Sequence, residues 1–145
     1  MKHALSGDDR CFREEFEACR VTPAEFNHRA HVRLAYIYLV DSSPEAAPDL
    51  MREALLGFLR HHGIEVSKYH ETLTRAWILA VRHFMEGSPP ARSADAFIAG
   101  NPSLLDSKIM MTHYSAEVLF SAEARARYVE PDVDPIPHHE GQPAA

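Results

Sequence analysis

Apolar residues in this chain recur at every third or fourth position between sharply marked breaks, and no stretch alternates apolar with polar as a half-buried strand would. That period restricts the fold to helices packed on helices. The breaks are Asp41-Ser42-Ser43-Pro44, Gly63, Gly87-Ser88-Pro89-Pro90 and Asn101-Pro102, all residues that stop or cap helices. A short amphipathic helix is predicted over Asp9 to Cys19, with Phe12, Phe16 and Cys19 on one side. Thr22-Pro23-Ala24-Glu25 reads as the start of a second helix, with threonine as N-cap, proline first and glutamate third. This helix should run to about Val40. A third, Glu45 to His62, buries Leu50, Met51, Leu55 and Phe58, and a fourth, near Ser67 to Met85, puts His70, Leu73, Thr74, Trp77, Val81 and Phe84 on one stripe.

Shorter helices are expected from Ser93 to about Ala99, from Asn101-Pro102 with Leu105, Ile109 and His113 on an inner face, and from about Ser121 to Tyr128. The pattern therefore predicts an all-α fold, a compact bundle of about four main helices with short accessory ones. Residues 1–132 form one helical domain in this reading, and 133–145 a disordered tail carrying prolines and histidines.

Composition narrows the function classes. A length of 145 residues, 46% hydrophobic and 25% charged, is enough for a real core without disulfides or metals as staples. The net charge of -6, with positive residues dispersed among acids, argues against nucleic acid as a partner. No segment has the run of roughly 18 to 20 uncharged apolar residues that spans a bilayer, so no membrane partner is expected. The polar start Met1-Lys2-His3-Ala4-Leu5-Ser6-Gly7-Asp8-Asp9 has no signal-peptide character. Cys11 and Cys19 fit no Cys-x-x-Cys pattern and stand too far apart on one helix to pair. These features point to a cytoplasmic protein.

Ten histidines are the compositional outlier. His138 and His139 fall in the tail, His61 and His62 at a helix C-terminus that favours cations, and His3 and His83 at the periphery. The other four stand out. Asn27-His28-Arg29-Ala30-His31 opens one apolar segment, Lys68-Tyr69-His70-Glu71-Thr72 a second, and Met111-Thr112-His113-Tyr114 closes a third. His28 and His31, three apart, share a helix face. Three helices each offering an inward imidazole would place several rings in one interior, where hydrogen bonds alone satisfy them poorly. A metal or a polar substrate pocket resolves that cost.

The expected site therefore consists of His28, His31, His70 and His113 around a divalent transition metal (zinc, iron, copper or nickel), with three ligands and one position left open. Glu71 or Asp106 would serve as general base or orienting carboxylate. Arg33, Lys68 and Arg75 could hold a substrate carboxylate or phosphate, although solvated helix faces carry such residues routinely. No His-Glu-x-x-His, Gly-x-Ser-x-Gly, phosphate loop or dinucleotide fingerprint is present.

The runs Phe26-Asn27-His28-Arg29-Ala30-His31-Val32-Arg33-Leu34-Ala35-Tyr36 and Lys68-Tyr69-His70-Glu71-Thr72-Leu73-Thr74-Arg75-Ala76-Trp77, with His113-Tyr114-Ser115 and the ending through Glu130-Pro131-Asp132, resemble a family of small bacterial α-helical proteins. The resemblance covers roughly residues 20 to 132 and implies a bacterial origin and one coherent domain; no activity comes with it. In size and use of three histidines the chain is also similar to small metal-binding bundles of the DinB-like type, whose ligand spacing differs, so that likeness concerns the fold only. The expected function is a metal-dependent enzyme acting on a small molecule in a histidine-lined pocket. The alternative is a non-catalytic ligand-binding or protein-interaction domain.

Overall fold

The computed structural model describes residues 2–137. It is all-helical, with no strand among the described residues, as the periodicity requires. The α-helices are α1 (Gly7–Glu17), α2 (His28–Asp41), α3 (Ala47–His61), α4 (Glu71–Glu86), α5 (Ala94–Gly100), α6 (Ala116–Leu119) and α7 (Ala122–Ala126), with 3₁₀ turns at Val66–Lys68, Pro102–Leu105 and Ser107–Thr112. None of these helices is long and apolar enough to cross a membrane.

Helix α2 is the axis of the molecule. Its residues Leu34 through Tyr38 are fully buried on every side, the signature of a helix with neighbours all round. It packs on α4, α3, α1 and α5, while α7 lies against α4. Around it Phe16, Met51, Phe58, Trp77, Phe97 and Leu104 join one hydrophobic core. The buried phenols of α2 find partners: Tyr36 donates to the Ala4 carbonyl at 2.8 Å, and Tyr38 to Glu17 at 2.5 Å.

One buried charge ties the starts of α1 and α5 to the body of α2. Asp9, fully buried, accepts from the Ser6 amide at 3.1 Å, the Ala94 amide at 2.9 Å and Arg33 Nε at 3.1 Å. Burial pushes its pKa up, but the amides of Ala94 and Ser6 and the Arg33 guanidinium outweigh it and hold the carboxyl below its ordinary value. Arg33, a candidate for substrate binding from sequence, is committed to this contact.

Several sequence expectations are corrected here. Thr22 and Glu25 make the expected capping-box bonds, with the Thr22 amide donating to Glu25 at 2.9 Å and the Glu25 amide to Thr22 Oγ1 at 3.3 Å. Yet they close only a turn. The helix starts at His28, with Asn27 accepting from the Ala30 amide as the actual N-cap. The helix expected from Asn101 is two successive 3₁₀ turns, which bury Leu104 and Met110 and leave Leu105 42% exposed. His3 is not peripheral: its ring takes the Ala91 amide at 3.1 Å, contacts the Met85 carbonyl at 2.8 Å and packs edge-on to Tyr36 and Phe97. The expected disordered tail begins too early. Val133 and Asp134 donate to the His113 carbonyl at 2.9 and 3.2 Å, and Ile136 is buried in the core. His138 and His139 lie outside the described residues.

Candidate functional site

A cavity of about 360 Å³ opens between the start of α2, the end of α3 and the start of α4. Its walls are aromatic and aliphatic: Phe26, Leu55, Phe58, Leu59, Leu73 and Trp77. Its polar groups come from two short segments, Asn27, His28 and His31 at the start of α2, and Lys68, Tyr69, His70 and Thr74 around the start of α4, with Ser107 at one edge. The size and the mix of apolar walls with few polar groups suit a small organic ligand.

The four histidines have four different fates. His70 is not on the helical stripe but caps α4: its backbone is extended (φ -126, ψ 104), and its Nδ1 accepts from the Leu73 amide at 3.1 Å. That acceptor role puts the ring proton on Nε2, which donates to the Leu119 carbonyl at 2.6 Å. Both nitrogens are thus committed, and the ring fixes α6 to the start of α4. Burial, reinforced by the nearby Arg125 charge, lowers its pKa against the pull of the Leu119 bond, and the ring is neutral.

His28 donates through Nε2 to the Leu104 carbonyl at 2.9 Å and meets Trp77 edge-on at 4.6 Å between ring centroids. A neutral ring that donates there keeps a lone pair on Nδ1.

His31 differs from both. One turn into α2, it lines the cavity beside Phe26, with 5.9 Å between centroids, and its ring hydrogen-bonds to no other described residue. Desolvation by the surrounding protein, then repulsion from His28, lowers its pKa to about 4. At neutral pH it is an uncharged imidazole facing an apolar cavity.

His113 lies elsewhere. It ends the 3₁₀ turn Ser107–Thr112 and bonds through Nδ1 to the Asp134 carbonyl at 2.7 Å. It does not line the cavity, because the expected helix that would have aimed it inward does not form. Asp106 is exposed and caps the same turn through the Lys108 amide at 3.0 Å. Glu71 points away from the cavity. It accepts from the Tyr69 hydroxyl at 2.7 Å, pairs with Arg75 and lies 3.6 Å from Arg52. Burial pushes its carboxyl up, but Arg75 and Tyr69 more than offset this, so its pKa is lowered.

The structure thus brings His28, His31 and His70 to one cavity and leaves His113, Glu71 and Asp106 outside it. Among the described residues no group of three or more histidine, cysteine, aspartate or glutamate side chains is placed to hold a metal ion. Two imidazoles, His28 through Nδ1 and His31, retain free donor atoms. Sequence reasoning did not single out Trp77, Phe26 and Phe58 as cavity walls, because aromatic residues at helical spacing read equally well as core.

Compared with known proteins, the chain matches no family model, no curated protein and no solved structure. The likeness to a bacterial family noted from the sequence therefore gains no support, and any function must come from the cavity itself.

Proposed function

We propose that this protein binds a small molecule with a flat or apolar body and an anionic group in the cavity between α2, α3 and α4, with His31 as the reactive contact. The observation that carries this reading is a desolvated, uncharged imidazole that faces the cavity with no protein partner. The ring is half-buried on the cavity wall, so its nitrogens stay open to a hydrogen bond from a bound ligand. Trp77, Phe26 and Phe58 supply flat apolar walls, and Lys68, which forms no ion pair among the described residues, supplies a cation at the same cavity.

The low pKa of His31 shapes the chemistry. A ring with a pKa near 4 is a weak base at neutral pH and accepts a hydrogen bond rather than a proton. An anionic group bound beside it, paired with Lys68, would raise that value toward neutrality and let the ring take a proton from the ligand. Binding and proton transfer are then coupled in one residue.

A metal-dependent form of the same reading rests on a separate observation. His28 and His31 sit three apart on one helix face, and a neutral His31 has a ring nitrogen lone pair for which protons at neutral pH would not compete with an ion. The ion's remaining positions would fall to ligand or water. One experiment separates the two forms: follow the His31 ring signals by NMR while adding zinc, and separately a panel of small aromatic carboxylic acids, to the wild type and to His31→Gln. Saturable shifts with the acids that disappear in the variant support the metal-free form. Stoichiometric zinc binding that needs both His28 and His31 supports the metal form. No saturable response to either class would overturn the proposal.

A further inference from the structure

On the other side of the 66–71 segment lies a larger cleft, about 830 Å³, between α3, the start of α4 and α7. Its lining holds five arginines (Arg52, Arg60, Arg75, Arg125 and Arg127) and one carboxylate, Glu71. Two more acids reach in from outside: Asp49 meets Arg75 at 3.2 Å, and Glu123 pairs with Arg127. Five guanidinium groups against three carboxylates leave this cleft positive, on a chain whose net charge is -6.

Three of the five arginines have acidic partners, Arg52 and Arg75 at Glu71 and Arg127 at Glu123, and Arg60 and Arg125 have none. Arg52 and Arg60 are eight residues apart on α3, about 80° apart round the helix, and both line the cleft, which Arg125 on α7 and Arg127 at its C-cap enter from the other wall. The Arg60 guanidinium forms no hydrogen bond or ion pair with any described residue, and that of Arg125 makes only a 3.4 Å bond to the Ser67 carbonyl. Bringing like charges together costs energy unless an anion relieves it. Arginine forks match the oxygens of phosphate in pairs, which makes phosphate the best-fitting anion. We infer that this cleft binds a phosphate-bearing small molecule, held by Arg60 and Arg125 in the gap between α3 and α7. The inference is independent of the histidine cavity, which Tyr69 separates from the cleft while lining both.

The test is calorimetric titration of the full chain with inorganic pyrophosphate, and with citrate as a non-phosphate anion, at fixed ionic strength. Arg60→Gln, Arg125→Gln and Arg92→Gln are compared, Arg92 being an exposed arginine that does not line the cleft. Circular dichroism confirms that each variant folds. The expected result is saturable pyrophosphate binding, weaker by roughly tenfold or more in Arg60→Gln and in Arg125→Gln and unchanged in Arg92→Gln. Should Arg125→Gln not fold, Arg60→Glu serves in its place, and its binding should be abolished. Absence of saturable binding, equal losses in all variants, or tighter binding of citrate than of pyrophosphate would each overturn the inference. His31→Gln should bind pyrophosphate as the wild type does, so failure here is distinguishable from failure of the histidine cavity.

Discussion

Two cavities stand back to back in this molecule, and a single stretch of chain furnishes both. Around Tyr69 and His70 the backbone is extended, so successive side chains leave on opposite sides. Lys68 and His70 line the apolar cavity, whereas Ser67 and Glu71 line the arginine cleft. The residues differ by one position and the environments differ in kind. On one side His31 and His70 are desolvated and neutral; on the other, guanidinium groups sit open to water with too few acids. The lesson is that Glu71, adjacent in sequence to His70, is not its chemical partner. It belongs to the arginines.

Substitutions can break that division of labour. The largest effect is expected for His70→Ala, which removes the cap of α4 and leaves the buried Leu119 carbonyl without its donor. The two losses together cost about 3 kcal/mol, read as a lower midpoint in urea unfolding. His70→Asn should recover part of it, because asparagine caps well.

The next prediction uses pH. His31 and His70 both have lowered pKa values, so below their unfolded value, near 6.5, the unfolded chain binds more protons than the folded one. Stability is therefore full above that pH and falls as pH drops from about 6.5 toward 4, with a slope of at most about 1.4 kcal/mol per unit for each proton. His31→Gln should flatten this slope in unfolding curves collected between pH 4 and 7. A smaller change is expected on the other side. Glu71→Gln should cost about 1 kcal/mol or less in stability, since its arginine partners are partly exposed, while tightening pyrophosphate binding in the cleft. Least of all, His113→Ala should shift stability by less than about 0.5 kcal/mol and leave ligand binding in the cavity unchanged.

How much of this was legible in the sequence depends on how far apart the cooperating residues lie. The helical architecture follows from the apolar period, and Ser93 caps its helix as expected, accepting from the Ala96 amide. The convergence of His28, His31 and His70 was also readable, because each opens an apolar helix whose inner face had to meet the core. Their roles were not. Histidine is a rare N-cap, so nothing in Lys68-Tyr69-His70-Glu71-Thr72 marked His70 as one, and the competing capping box at Thr22 drew the start of α2 too early. His113 was misplaced because 3₁₀ turns have no apolar period long enough to register. The arginine cleft joins residues from α3, α4 and α7, separated by up to 75 positions along the chain, and only tertiary packing makes them neighbours.

The central claim is that His31 is uncharged at neutral pH because the protein packed around it disfavours the charged ring. Two-dimensional NMR of the histidine ring nitrogens across pH 3.5 to 8 measures this directly. A midpoint near 4, with no charge change between pH 6 and 7, is the expected result. A His31 ring that titrates near 6.5, like a solvated imidazole, would contradict it.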